Sequence, residues 1–326
     1  LSRKKVLIIT GEFDSTADGM VRCLKRMSAA FERFHPKEFP TKARMDLTIS
    51  PNGSVVGDVV GPGVAFGWEE VGSVWYRRPE PYSVPPTLSI EEQEFATAES
   101  SAAFYGAWRT IGAFWVNHPD RNRIAASKAL QIVSAQRRGF SIPKTLFTND
   151  AEKLSTFYDE MNGNIVYKTM SQGILGRGAF RSVFTSRVKR EHLQNGFLLS
   201  NGPGLFQEMI PKACDLRVTV IGERVFAVEI RAEPNSKENL DWRRFDLANL
   251  KHSAHCLTCD IEKRCLQLVH DLNLNYAAID FILRDNGEYV FLEVNPNGQY
   301  GWIEDVIDMP ITETLAELLV RHTIQF

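Results

Sequence analysis

Hydrophobic positions at the start of the chain switch from one period to another. Val6, Leu7, Ile8 and Ile9 form the unbroken run of a buried strand, closed by Gly11, and Met20, Leu24, Met27 and Phe31 then recur at helical spacing, predicting a helix over residues 16–34. Short strands with Gly and Pro punctuation follow over 45–49, 54–60 and 73–77, and a long helix over 90–111. The turn-rich stretch 117–122 contains Pro119, which disfavours helix in the residue before it, and marks a boundary. Beyond it the pattern predicts a helix over 123–137, a strand over 141–147, a helix over 151–161, a strand over 165–169, a glycine-bearing loop over 171–178, a strand over 180–185 and a helix over 188–193. A second boundary falls at the turn 200–204. Strands over 205–209, 216–221 and 224–231 then read as an antiparallel meander. A polar segment, 234–250, a helix, 260–271, and a hairpin complete the chain; its arms, 277–283 and 288–294, meet at Asn286-Gly287, a strong turn signal. The result is an α/β (α+β) protein in three parts, 1–116, 117–202 and 203–326.

Composition narrows the partners. Hydrophobic residues make up 44% and charged residues 24%, a globular balance, and a formal net charge of -2 argues against nucleic-acid binding driven by phosphate neutralisation. No apolar run approaches a membrane span and no signal-peptide core is present, so a cytoplasmic protein is expected. The turn 10–14 lacks the glycine pattern of a dinucleotide site, and no NAD is expected. His252, His255, Cys256, Cys259 and Cys265 lie close enough in sequence to suggest zinc. No second ligand pair stands a dozen or more residues away, so a loop and the start of the helix 260–271 account for them better.

The sharpest chemistry is in the hairpin. Asp280 interrupts one apolar strand, while Glu293 and Asn295, two residues apart, share a face of the next. A buried carboxylate must be paired or ligated, and two carboxylates with an amide oxygen make a donor set for magnesium that bridges phosphate oxygens.

At this point the chain resembles the ATP-grasp superfamily. The string Leu292-Glu293-Val294-Asn295-Pro296 looks like the metal-binding strand of that fold, and further elements stand upstream in the right order. The resemblance implies an ATP-grasp fold with an N-terminal pre-ATP-grasp domain, and ATP with two magnesium ions held by Asp280, Glu293 and Asn295. It further implies that Lys128 and Lys168 meet the phosphates, that Glu208, Met209 and Ile210 clamp the adenine, and that Asp215 holds the ribose. Gly173 and Gly176 belong to a loop that can approach phosphates closely, and a flexible hairpin tip explains them equally well. Arg217 and Arg231 follow in strands where the family places cations facing the triphosphate and the forming acyl phosphate.

A finer resemblance, covering nearly the whole chain, is to the graspetide (microviridin-type) ligases. It is carried by Thr-Gly-Glu-Phe-Asp at Thr10, Ser-Val-Trp-Tyr-Arg-Arg-Pro at Ser73, Asn-His-Pro-Asp at Asn117, Tyr-Lys-Thr at Tyr167, Asp-Trp-Arg-Arg-Phe-Asp at Asp241 and Asn-Pro-Asn-Gly-Gln-Tyr-Gly at Asn295. The resemblance implies macrocyclisation of a ribosomal precursor peptide, leader plus core, by esters or amides formed on Asp or Glu side chains, and a homodimeric enzyme. Arg231 and Arg243 would bind the substrate carboxylate, although many relatives have His at the position of Arg231. Trp242 would touch the peptide, or form a packed surface corner with Arg243. Arg187, Lys189 and Arg190 are a candidate leader dock, with a solvated basic helix as the equal alternative. Two other readings share the ATP machinery: a ligase for a small-molecule acid, and a non-catalytic ATP-binding peptide receptor.

Overall fold

The computed structural model describes residues 4–171, 174–175, 181–194, 196–232, 240 and 250–324. Its first part is built on a wholly parallel sheet. Strand β1 (Lys5–Thr10) leads into helix α1 (Ser15–Arg26), which is capped by the Asp14 carboxylate accepting from the N–H groups of Thr16 and Ala17. The helix stops well short of residue 34. Ser28 takes a left-handed φ of 52°, and Phe31–Phe34 becomes strand β2, parallel to β1 with Val6 opposite Phe31. Short antiparallel pieces follow: β3 (Arg44–Met45), β4 (Thr48–Ile49), β5 (Val55–Val56), β6 (Asp58–Gly61) and β7 (Val64–Gly67). Then β8 (Val71–Arg78), α2 (Ile90–Thr110) and β9 (Phe114–Val116) complete the sheet in the order β2-β1-β8-β9.

The single helix expected over 123–137 is two: α3 (Pro119–Ala125) and α4 (Lys128–Arg137). At the break the backbone of Ser127 is extended, and the carbonyl of Ala125 takes its hydrogen from the side chain of Gln131, at 2.6 Å. That break puts Lys128 at the first turn of α4. Strand β10 (Thr145–Thr148), helix α5 (Ala151–Glu160), strand β11 (Ile165–Lys168), the two-residue strands β12 (Ile174–Leu175), β13 (Arg181–Ser182) and β14 (Ser186–Arg187), and helix α6 (Arg190–Leu193) follow. Strand β15 (Gly204–Glu208) does not open a meander. It lies antiparallel between β10 and β11 in a sheet of order β10-β15-β11-β14, packed on α5 through Leu154, Phe157, Ile165 and Phe206.

The chain then crosses to a second antiparallel sheet, formed by β16 (Cys214–Ile221), β17 (Arg224–Arg231), β18 (Lys251–Ala254), β19 (Tyr276–Leu283) and β20 (Tyr289–Asn295), in the order β18-β17-β16-β19-β20. Helix α7 (Cys259–Asp271) precedes β19, and α8 (Gly301–Ile307) and α9 (Ile311–Arg321) follow β20. Strand alternation divides this sheet into two working faces. One face buries Leu216, Val218, Ile279, Phe281 and Val294 under α4 and α7. The other buries Ile221, Val228, Ile230 and Tyr276 against α1, α8, α9 and the edge of the parallel sheet. Among the described residues, no helix is long and apolar enough to cross a membrane.

Candidate active site

The polar residues of the C-terminal sheet fall in one row. Arg217 of β16 stands directly opposite Asp280 of β19, and Asp280 opposite Glu293 of β20, all three on the α1 side. Arg217 donates to Asp280 at 2.7 Å, and both side chains are under one-tenth exposed. Burial works against the Arg217 charge, but Asp280, Tyr276 and Glu293 outweigh it and hold the guanidinium above its ordinary value. Its Nε is buried without a hydrogen-bond partner among the described residues. Lys128 reaches Glu293 at 2.5 Å from the start of α4, across 165 residues of sequence. Asn295 lies two residues beyond Glu293 on the same face, its side-chain oxygen accepting from the N–H of Asn297 at 3.1 Å. The ladder shifts between Asp280 and Phe281, where Leu292 of β20 is left without a partner on β19 and Glu293 comes to the face of the sheet opposite that of Phe291.

Two buried amides fix the backbone around the row. Gln131 accepts from the N–H of Val294 at 3.0 Å and donates to its carbonyl at 2.8 Å, acting as a short extra strand beside β20. Asn117 donates to the carbonyls of Tyr276 (2.8 Å) and Pro296 (2.9 Å) and accepts from the N–H groups of Asn275 and Tyr276, so its whole hydrogen-bonding capacity is used. The Tyr276 hydroxyl donates to the carbonyl of Gly298 at 2.5 Å, and burial pushes this phenol up to about 12. A side chain at Gly298 would lie 2.4 Å from the Ala278 Cβ and 2.8 Å from an Arg217 nitrogen, so only glycine lets the loop after β20 lie this close to the sheet.

Other expected residues line the crossing between the two sheets. Lys168 ends β11, opposite Leu205. The Glu208 carboxylate accepts from the N–H of Lys144 at 3.3 Å, and the N–H of Met209 donates to Asn164 at 2.9 Å. Ile210 follows in the linker, and Asp215, on the Arg217 face, is salt-bridged to Lys212 at 2.5 Å with both side chains nearly buried. The structure does not bring Arg231 into this group. Alternation puts it on the opposite face with Glu229, to which it is paired at 2.6 Å, and it also donates to the carbonyl of Ala213. There Glu229 also holds His255 at 2.7 Å; burial pushes its carboxyl up, but His255 and Arg231 keep it below its ordinary value. Cys265 packs in the core behind the sheet, where burial pushes its thiol up to about 12. Gly173, Gly176, Trp242 and Arg243 lie outside the described residues. In the central part, Arg187 donates to Asn164 at 3.1 Å, Lys189 pairs with Glu191, and Arg190 pairs with Asp159 over the ring of Tyr158. Arg187 also lines an apolar cavity of ≈ 360 Å³ with Tyr167, Leu193 and Phe206, on the α5 side of the central sheet.

Lys212 beside Asp215, Gln131 as a backbone clamp and Asn117 as a second clamp are not apparent from the sequence, where Asn117 is only part of a matching string. Nothing local signals the two amides, because their partners lie about 160 positions away.

An antiparallel sheet carrying two carboxylates and an amide, joined by a short linker to a second antiparallel sheet carrying a lysine, is the arrangement of an ATP-dependent ligase. Residues 125–319 match the RimK-like ATP-grasp domain, and residues 5–123 match the MvdD pre-ATP grasp domain. The chain belongs to the RimK-like ATP-grasp family, in the branch of the ATP-grasp macrocyclases. The macrocyclase MdnC of Microcystis aeruginosa, solved with its precursor peptide MdnA, is 30% identical with a TM-score of 0.87, over 97% of this chain and 99% of that one. A RiPP-associated ATP-grasp ligase of Chryseobacterium gregarium, solved with ADP and a leader and core peptide, is 28% identical with a TM-score of 0.90, over 98% and 97%. A probable alpha-L-glutamate ligase of Pseudoalteromonas atlantica is 23% identical over 68% of this chain and 74% of its own length.

The family uses ATP and magnesium, and the donor set fits: hard oxygens of Asp280, Glu293 and Asn295 on one face, flanked by the cations Arg217 and Lys128.

Proposed function

We propose that the protein macrocyclises a ribosomally made precursor peptide. A side-chain carboxylate of an Asp or Glu attacks the γ-phosphorus of ATP, releasing ADP and leaving an acyl phosphate. A Ser, Thr or Tyr hydroxyl, or a Lys amine, then attacks the carbonyl carbon; it loses its proton, phosphate leaves, and an ester or amide closes the ring. The peptide loses one water for each ring. The observation that carries this reading is the row Arg217, Asp280, Glu293 and Lys128, in a chain that matches a macrocyclase over its full length.

Asp280, Glu293 and Asn295 would hold magnesium, two ions on this reading, which when bound neutralises phosphoryl oxygens. Lys128, released from Glu293, and Lys168 hold phosphates as compact charges. Glu208, Met209 and Ile210 receive the adenine, and Asp215 the ribose. Arg217 fixes the Asp280 carboxylate and adds positive charge beside the reacting groups. Arg231 has no part on this face. Arg243, with Trp242, stays a proposed carboxylate contact, and Gly173 and Gly176 a proposed phosphate loop. The cavity beside Arg187, with Lys189 and Arg190 on the same side, is the proposed leader dock. A homodimer belongs to the same reading, on family likeness alone.

The test is incubation with Mg-ATP and a small peptide encoded beside the gene. Mass losses of one water per ring are expected, with ADP formed alongside. ADP formation with free amino acids only, and no fall in peptide mass, would overturn the reading in favour of a free amino-acid ligase, to which the likeness to the glutamate ligases points.

A further inference from the structure

A cavity of ≈ 670 Å³ opens where the ends of β1 and β8 and the start of α1 meet the loop after β20. Its walls carry both signs of charge, but most of its acids are already engaged. Asp14 caps α1 and pairs with Arg77 at 3.0 Å. Glu80 pairs with Lys37 at 2.9 Å and accepts from the N–H of Glu12, while Glu304 accepts from the N–H and hydroxyl of Thr312. Arg22 and Arg78 line the same cavity, both exposed, and neither has an ion pair among the described residues. Among the described lining residues Glu304 and Asp305 have no cation partner, and Arg22 and Arg78 have no counter-ion, so the cavity offers two guanidinium groups to an acid placed between them. It is also amphipathic: Phe13, 91% exposed, and Trp302 add aromatic surface. On its inner side stands Gln299, whose carbonyl accepts from Arg217 at 3.3 Å. The cavity and the Asp280 row therefore meet at one residue.

We propose that this cavity is a subsite for a second acidic side chain of the substrate peptide, held by Arg22 and Arg78. The inference rests on the peptide-ligase reading. The carboxylate being activated must sit beside Asp280 and Glu293, so a group held by these two arginines is a different one, carried on the same peptide. Guanidinium groups suit it, because each presents a planar fork that matches a carboxylate. Holding a neighbouring acid would set the register in which the reacting one is offered to ATP.

The test uses the full chain with Mg-ADP and two fluorescein-labelled peptides, one alternating Gly with Glu and one alternating Gly with Gln, with binding read by anisotropy. The Glu peptide is expected to bind at least about fivefold tighter, a modest factor because both arginines are exposed. Arg22→Gln and Arg78→Gln should each reduce that ratio, and the double variant should cut it about threefold, leaving only the preference of the reacting-acid site, with ADP affinity unchanged as the control for folding. A ratio of one in the wild type, or a ratio unchanged in the double variant, overturns the proposal. Wild-type protein whose ratio falls in the double variant and which yet never removes water from a precursor supports the subsite while defeating the ligase reading.

Discussion

Gln131 and Val294 are bound to each other through both of the strand residue's backbone groups, at 3.0 and 2.8 Å, although one lies on a helix and the other on a strand 163 residues away. The pair sets the position of β20, and with it both Glu293 and Asn295. Gln131→Leu keeps the volume and removes every partner, leaving two groups of Val294 and the carbonyl of Ala125 unsatisfied. A loss of about 3 kcal/mol in stability is expected from such buried orphans, read from the urea midpoint. A change under about 0.5 kcal/mol would show that the clamp does not hold the strand.

Asp280→Asn removes the charge that Arg217 faces in a nearly dry setting. Stability should fall by about 3–5 kcal/mol, because the guanidinium is left buried without its counter-charge. The double variant Asp280→Leu with Arg217→Met should recover much of that loss while still failing to bind magnesium. Equilibrium denaturation of the two proteins side by side makes the comparison.

Lys128→Ala is aimed at the phosphates. Calorimetric titration should show ATP binding weakened about tenfold or more, the usual cost of a charged hydrogen bond. Unaltered affinity would confine Lys128 to its pairing with Glu293.

Asp14 supplies a pH dependence with a definite sign. Burial pushes its carboxyl up, yet Arg77, the Thr10 hydroxyl and the Ala17 N–H outweigh this and hold it below the ordinary 3.8. A depressed folded value means that the unfolded chain takes up the proton first as the solution is acidified. The stabilisation is thus complete above 3.8 and disappears as the pH falls through the lower folded value. Asp14→Asn should remove this component of the acid titration of stability.

How much of this could be read from the chain follows from where each partner lies. The hairpin ending in Glu293 and Asn295 was legible because alternation and Asn286-Gly287 are local. The end of α1 was not, since Met27 and Phe31 keep helical spacing through a turn made by one left-handed residue, Ser28. Nor was the break before Lys128, which a side chain four residues ahead of that break completes. β15 has the composition of its successors, and only long-range pairing assigns it to the central sheet. Arg231 shows the same limit from the side of function. It lies in the strand expected for it, but its face depends on register, which the sequence does not print.

The core shared by the parallel sheet and the far end of the chain sets an order on biosynthesis. Val6, Ile8, Met20 and Leu24 are covered by Tyr300, Ile303, Ile311 and Leu315. A chain made only up to β20 would therefore leave the outer side of α1 and part of this shared core without its cover, and apolar surface open in this way is what makes partly made chains prone to aggregate.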